Sequence, residues 1–146
     1  MTVVAWDGNI LAADRQCTTG DSISTTCKIY RLDSGKVIAL LGREDSARSM
    51  KRWYENGMNP EDWPEYQKTD DCWGEIVVAS DEGCVYYART PDPLPVLDSF
   101  AAWGSGREAA LGAMEMGADA VKAVEVASKW IEGCGRGVDY FKAKNG

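Results

Sequence analysis

The chain opens with two short runs in which apolar residues dominate, Val3 to Trp6 and Asn9 to Ala13, split by Asp7-Gly8. Asp-Gly between β-prone runs predicts a two-residue hairpin of type I′, because that turn needs positive φ. Gln16 to Ile23 is polar, with a turn at Gly20-Asp21 between short strands. Thr25 to Arg31 reads as one strand, Asp33-Ser34-Gly35 as a turn, and Lys36 to Leu41 as an apolar strand buried on both faces. After Gly42 the period changes from two to 3.6: Ala47, Met50 and Tyr54 share a stripe over Asp45 to Asn56, and Gly57 stops the helix. Met58 to Asp71 carries Pro60, Trp63 and Pro64 among acids, a segment docked by its aromatics.

Cys72 to Ser80 and Cys84 to Ala88 form a second hairpin about Asp81-Glu82-Gly83. Thr90 to Pro95 is a proline-rich connector, and Val96 to Trp103 a last central strand. Ser105 and Glu108 have capping-box spacing at the start of a helix that ends near Gly117. Asp119 caps the next helix, with Val121, Val124, Ala127 or Ser128, and Ile131 on its apolar stripe. Val138 to Phe141 closes the chain as a strand. Strands interleaved with helical segments predict an α+β layered domain, with residues 1–146 forming a single unit.

Charge and composition narrow the chemistry. The 146 residues carry 23 acidic and 16 basic side chains, a net charge of −7, which argues against a general nucleic-acid surface. No apolar run is long enough to span a membrane, and the N-terminus does not read as a signal peptide. Five cysteines without a C-x-x-C spacing suit reduced thiols in a cytoplasm better than disulfides, and predict no metal site. Histidine is absent, so no Ser-His-Asp or Cys-His site can form within the chain. A base, if one is needed, must be an amine, a lysine or a carboxylate. Gly104-x-Gly106 lacks the third glycine of a dinucleotide fingerprint, and no cofactor is called for.

Thr2 is the first candidate. Freed from Met1, a threonine carries a hydroxyl nucleophile and an amine base on one residue. It reads equally as the plain start of an edge strand. Asp14 and Lys28 each stand among apolar neighbours, where a charge must be paired or must face solvent. Paired and set beside Thr2, Lys28 would stabilise a developing alkoxide; alternatively both point outward from a sheet. Ser105 is explained as a helix cap, which leaves its hydroxyl compatible with catalysis. Gly42 and Arg43, after a buried strand, could present backbone N–H groups to an oxyanion or simply turn the chain. Cys134, between glycines, reads as a small filler or a site thiol.

Taken in order, the Thr2-Val3-Val4 hairpin, Leu11-Ala12-Ala13-Asp14, the Lys28 segment, Lys36-Val37-Ile38-Ala39 with its following glycine, and Ala102-Trp103-Gly104-Ser105-Gly106 resemble the proteasome β-subunit family. The likeness extends over nearly the whole chain and is strongest to bacterial HslV-type peptidases and short phage-encoded relatives. It implies an N-terminal nucleophile hydrolase fold, a four-layer αββα sandwich of two antiparallel sheets covered by helices. It implies Thr2 as nucleophile, Asp14 orienting Lys28, Ser105 supporting the threonine amine, Gly42 and Arg43 at the oxyanion turn, and Cys134 where a serine is common. A polypeptide substrate, a ring-shaped homo-oligomer and an ATP-dependent unfoldase partner in a bacterial or host cytoplasm follow from the same likeness. HslV-like chains usually have two glycines at the oxyanion turn, where Arg43 and Glu44 follow Gly42 here. That difference keeps open an inactive proteasome-like fold used for assembly or binding; an amidase of the same fold acting on non-peptide substrates is a third reading.

Overall fold

A computed structural model describes residues 2–65 and 73–143. Strand β1 (Val3–Trp6) is buried along its length, so both of its faces need a covering layer. Val4 and Trp6 point one way and Val3 and Ala5 the other, as the two-residue period requires. Strand β2 (Ile10–Asp14) returns antiparallel, with Trp6 opposite Leu11. The turn is shifted one residue from the type I′ expectation. Asp7 and Ile10 close it through Asp7 N–H to the Ile10 carbonyl at 3.2 Å, and Gly8 and Asn9 occupy its centre. Only Gly8 has positive φ, +96°, the II′ pattern. Asp7 Oδ1 accepts the Asn9 and Ile10 amides instead of forming the bend.

Strands β3 (Gln16–Thr19) and β4 (Ser22–Thr25) form a separate two-stranded ribbon, and β4 is exposed throughout. The single strand expected over Thr25 to Arg31 divides here. β4 stops at Thr25 and β5 (Ile29–Arg31) begins three residues past Thr26, so Lys28 lies on the crossing between ribbon and sheet. Thr26 donates back to the Arg15 carbonyl, and the Lys28 carbonyl accepts the Leu40 amide, which pins both ends of that crossing.

β5, β6 (Val37–Gly42), β7 (Gly74–Ser80), β8 (Gly83–Tyr87) and β9 (Leu94–Pro95) follow in that order across one antiparallel sheet. The expected proline-rich connector supplies the two residues of β9, an edge position where proline is tolerated. The second sheet has the order β10-β1-β2-β11, with β10 (Ala101–Gly104) and β11 (Val138–Lys142) at its edges. The strand expected from Val96 is thus shorter than its apolar run suggests, and lies at an edge rather than centrally. The start predicted at Cys72 and the end of the aromatic loop fall outside the described residues.

Helix α1 (Glu44–Glu55) covers the five-stranded sheet, packing Ala47, Met50 and Trp53 on Ile38, Leu40 and Ile76. A Cβ on Gly74 would meet the Ala47 backbone N at 2.5 Å, so glycine there lets α1 sit close to β7. Trp53 also anchors the loop after α1: its Nε1 donates to the Asn59 carbonyl at 2.7 Å, and Trp63 meets it edge-on at 4.8 Å. Helices α2 (Arg107–Glu115) and α3 (Ala120–Trp130) cover the four-stranded sheet through Ala110, Ala123, Val124 and Ala127 against Val3, Ala5 and Ala12. The buried stripe of α3 begins at Ala120, with Val121 only partly covered, because small residues let the helix lie close to the sheet. Asp119 caps it as expected, accepting the Lys122 amide at 2.8 Å. Between the sheets lie Val4, Leu11 and Ala13 from one and Val37, Leu41 and Val77 from the other. The order of layers is therefore helix, sheet, sheet, helices. Each fully buried Leu, Ile or Val contributes roughly 1.5–3 kcal/mol to holding them together. Among the described residues no helix is long and apolar enough to cross a membrane.

Candidate active site

Antiparallel pairing gathers six chain segments at one end of the sandwich. Val4 opposite Ala13 places the residue before β1 beside the end of β2, which is Asp14. Val3 opposite Gly104 brings the end of β10 to the same place. Val138 opposite Asp14 adds the loop that precedes β11. The crossing that leads into β5 brings in Lys28, and the end of β6 brings in Gly42.

Asp14 has no exposed surface, and Lys28 retains 7%. The alternative in which both face solvent is not what the fold contains. Lys28 Nζ lies 2.7 Å from Asp14 Oδ1. That oxygen also accepts the Val3 amide at 3.2 Å, while Oδ2 accepts the Gln16 and Gly135 amides at 3.3 and 3.0 Å. Three backbone donors and one ammonium thus satisfy a carboxylate that would otherwise be costly to bury. The same ammonium stands 3.1 Å from Thr2 Oγ1. A cation donating to a hydroxyl favours the alkoxide over the alcohol.

Ser105 does not cap α2. The N-cap residue is Gly106, without a side-chain cap bond. The Ser105 hydroxyl instead accepts from the Thr2 nitrogen at 3.2 Å and donates to the Thr2 carbonyl at 3.3 Å. Gly106 N–H donates to that carbonyl too, at 3.2 Å. Gly104, at φ +94°, has no room for a side chain, because a Cβ would collide with the Thr2 carbonyl. Thr2 is therefore fixed through its nitrogen, carbonyl and hydroxyl together. Cys134 is buried with Sγ 3.8 Å from Ser105 Oγ, and burial pushes its thiol pKa up. It is a neutral neighbour of the serine, well suited to packing and weakly suited to nucleophilic attack.

At the oxyanion turn the two candidate residues are placed differently. The Arg43 amide donates to the Trp73 carbonyl at 3.2 Å and continues the ladder between β6 and β7. Gly42 opposite Gly74 is then a non-hydrogen-bonded pair, and its N–H turns away from β7 toward Thr26 and Lys28. The Leu40 amide, two residues earlier, points the same way and bonds the Lys28 carbonyl. Gly42, at φ +80°, ends the strand beside Thr2.

Two clefts meet at Thr2 and Gly42. The first, about 700 Å³, runs past Cys17, Thr26, Lys28 and Leu40 to the start of α1. On its wall the Thr26 hydroxyl donates to Glu44 at 2.8 Å, which with Arg48 holds the Glu44 carboxyl below the usual carboxylate range. The second, about 530 Å³, lies on the Ser105 side between Trp73, Glu75, Trp103 and Arg107. Gln16, Gly106 and Gly135 complete the site through their main chains, and Glu75 lines it. Gly133, Gly135 and Gly137 stand close together in the sequence, but only the folded chain shows that the Gly135 amide serves Asp14.

No protein-family model matches the chain, and no curated protein matches it in sequence. Solved structures do resemble it in shape. Eukaryotic HslV from Trypanosoma brucei superposes with a TM-score of 0.76 at 21% identity, covering 99% of each chain. The BPH protein of Thiobacillus denitrificans in complex with epoxomicin gives 0.75 at 19% identity, over 99% of this chain and 100% of that one. The same protein alone gives 0.69 at 19% identity over the full length of both. The chain shares the HslV-like fold, two antiparallel sheets between layers of helices.

Proposed function

We propose that this chain is a threonine endopeptidase whose nucleophile is Thr2, exposed when the peptide bond to Met1 is cut. The observation that carries the proposal is the line Asp14–Lys28–Thr2, with contacts of 2.7 and 3.1 Å inside a buried pocket. A remote Lys28 would have favoured an inactive, purely structural role. In the proposed cycle the free Thr2 amine takes the Oγ1 proton through a water as Oγ1 attacks the peptide carbonyl. Lys28 stabilises the alkoxide, and the Gly42 amide receives the oxyanion. The amine returns the proton to the leaving nitrogen, and water then hydrolyses the ester on Thr2. Ser105 holds the amine in place for both transfers. Clefts on both sides of Thr2 support cleavage within a polypeptide rather than at its end.

On the same reading residues 1–146 form one domain that assembles with copies of itself into a ring and works in a cytoplasm, supplied by an ATP-dependent unfoldase. Hydrolysis of a fluorogenic peptide library by purified protein tests the activity. Cleavage by the wild type that disappears in Thr2→Ala supports the proposal. Equal cleavage by both, or hydrolysis of simple acyl amides without peptides, contradicts it.

A further inference from the structure

The second cleft contains a charged group that the proposed cycle does not use. Glu75 belongs to β7 on the face turned toward the other sheet, at the open end of the gap between them. Its neighbours there are Trp73 and Trp103, both half-buried. Its side-chain carboxylate makes no hydrogen bond or ion pair among the described residues. Burial alone raises its pKa, with no contribution from a neighbouring cation. Arg107 also borders the cleft, but it is exposed to water and its Nη1 is turned back onto the Gly104 carbonyl at 3.0 Å. Arg89 lies over the Trp73 ring at 5.8 Å and does not line the cleft. A sheltered carboxyl without a partner, in a cleft that two indole rings also line, is a receptor for a cation: the charge answers the carboxylate and the rings favour it further.

The geometry also says which part of a substrate enters this cleft. The leaving nitrogen must depart next to the Thr2 amine, which returns its proton. That amine is held by Ser105, and Ser105 lines the second cleft and not the first. Gly42 borders both clefts, whereas Lys28 lines the first and not the second, so the acyl part of the substrate is assigned to the first.

We infer that Glu75 selects substrates with a lysine or arginine immediately after the scissile bond, the cationic side chain entering between Trp73 and Trp103. This rests on the peptidase reading and assigns one half of its specificity.

Quenched peptides identical except for lysine, norleucine or glutamate after the scissile bond test it in the wild-type protein and in Glu75→Gln. The wild type is expected to favour lysine over norleucine by about tenfold in kcat/KM, a modest charge-pair effect, with glutamate poorest. In Glu75→Gln the three peptides should fall within about twofold of one another, and in Glu75→Lys the order should reverse. An epoxyketone probe, which occupies only the acyl side, should label Thr2 at the same rate in all three proteins. Binding of the uncleaved peptides to Thr2→Ala, with and without Glu75→Gln, reads the same preference without turnover. A wild type that cleaves without preferring lysine, or a preference that survives Glu75→Gln, overturns this inference and leaves the peptidase reading intact. A wild type that neither labels nor cleaves overturns the peptidase reading, and equal binding of the peptides to Thr2→Ala then removes the Glu75 site as well.

Discussion

The Lys28 ammonium lies 3.1 Å from the Thr2 hydroxyl, held there by its 2.7 Å contact with Asp14. Replacing it with a neutral side chain removes the alkoxide's stabiliser and strands a buried carboxylate. Lys28→Met should lower peptide hydrolysis by about 10²–10³-fold or more. It should also cost roughly 3–5 kcal/mol of stability. Lys28→Arg keeps the charge but not the compact head, and should remain well below wild type. Steady-state kinetics beside urea unfolding separate the two effects. A Lys28→Met protein with wild-type turnover would remove the lysine from the mechanism.

Asp14 receives four donors and offers none. In Asp14→Asn one oxygen becomes an NH2 facing two N–H groups, whichever way the amide is turned. The expected loss is roughly 3 kcal/mol or more, read as a lower denaturation midpoint. A neutral Asp14→Asn would show that the carboxylate is not needed to organise this end of the fold.

Ser105 and Gly104 act on Thr2 in different ways, and their variants should part accordingly. Ser105→Ala removes one side-chain partner of the Thr2 nitrogen, with a stability cost of about 1 kcal/mol and a larger fall in turnover. Gly104→Ala puts a side chain against the Thr2 carbonyl at φ +94° and should both destabilise the protein and displace the nucleophile. A silent Gly104→Ala contradicts the close approach.

These residues show what could be read from the chain and what could not. Asp14 and Lys28 were conspicuous as charges among apolar neighbours, and the layered fold followed from the change between two-residue and 3.6-residue periods. Capping-box spacing by itself points Ser105 to a helix cap, because that signal is local while its actual partner is 103 residues away; only the family resemblance places it at Thr2. Arg43 and Gly42 were equivalent as adjacent amides until the pairing with β7 committed one of them. The Asp7 turn slipped by a residue because the Asp7 carboxylate was more useful as an acceptor than at the centre of the bend. The amides of Gln16 and Gly135 carry no signal in their side chains at all.

Glu75 sets a pH dependence opposite to that of an ion-paired acid. Burial raises its pKa in the folded state, so folding favours the protonated form. Stability from this group is fully present below its ordinary unfolded value and is lost as pH rises through the raised folded value. Glu75→Gln should therefore be more stable than wild type at neutral pH, and the difference should vanish toward acid. Thermal unfolding of both proteins across that range measures it, and a variant less stable at neutral pH would count against an unpartnered carboxyl. Such a group fits a site that gives up stability for specificity.

Burial pushes the Cys84 thiol up to about 12, whereas Cys17 lies half-buried along the first cleft. Alkylation of the native protein at mildly alkaline pH should modify Cys17 well before Cys84, which should react only on unfolding. Peptide mapping of the alkylated protein gives the order. Early modification of Cys84 would mean that the space between the sheets is open.

The central claim is that one residue supplies both nucleophile and base. An epoxyketone reports on both at once, because it reacts with the hydroxyl and the amine of the same threonine. Mass spectrometry of the treated protein, with mapping of its N-terminal peptide, should find Met1 gone and a single adduct on Thr2, absent from Lys28→Met. A chain that retains Met1 and carries no adduct on Thr2 would contradict the account.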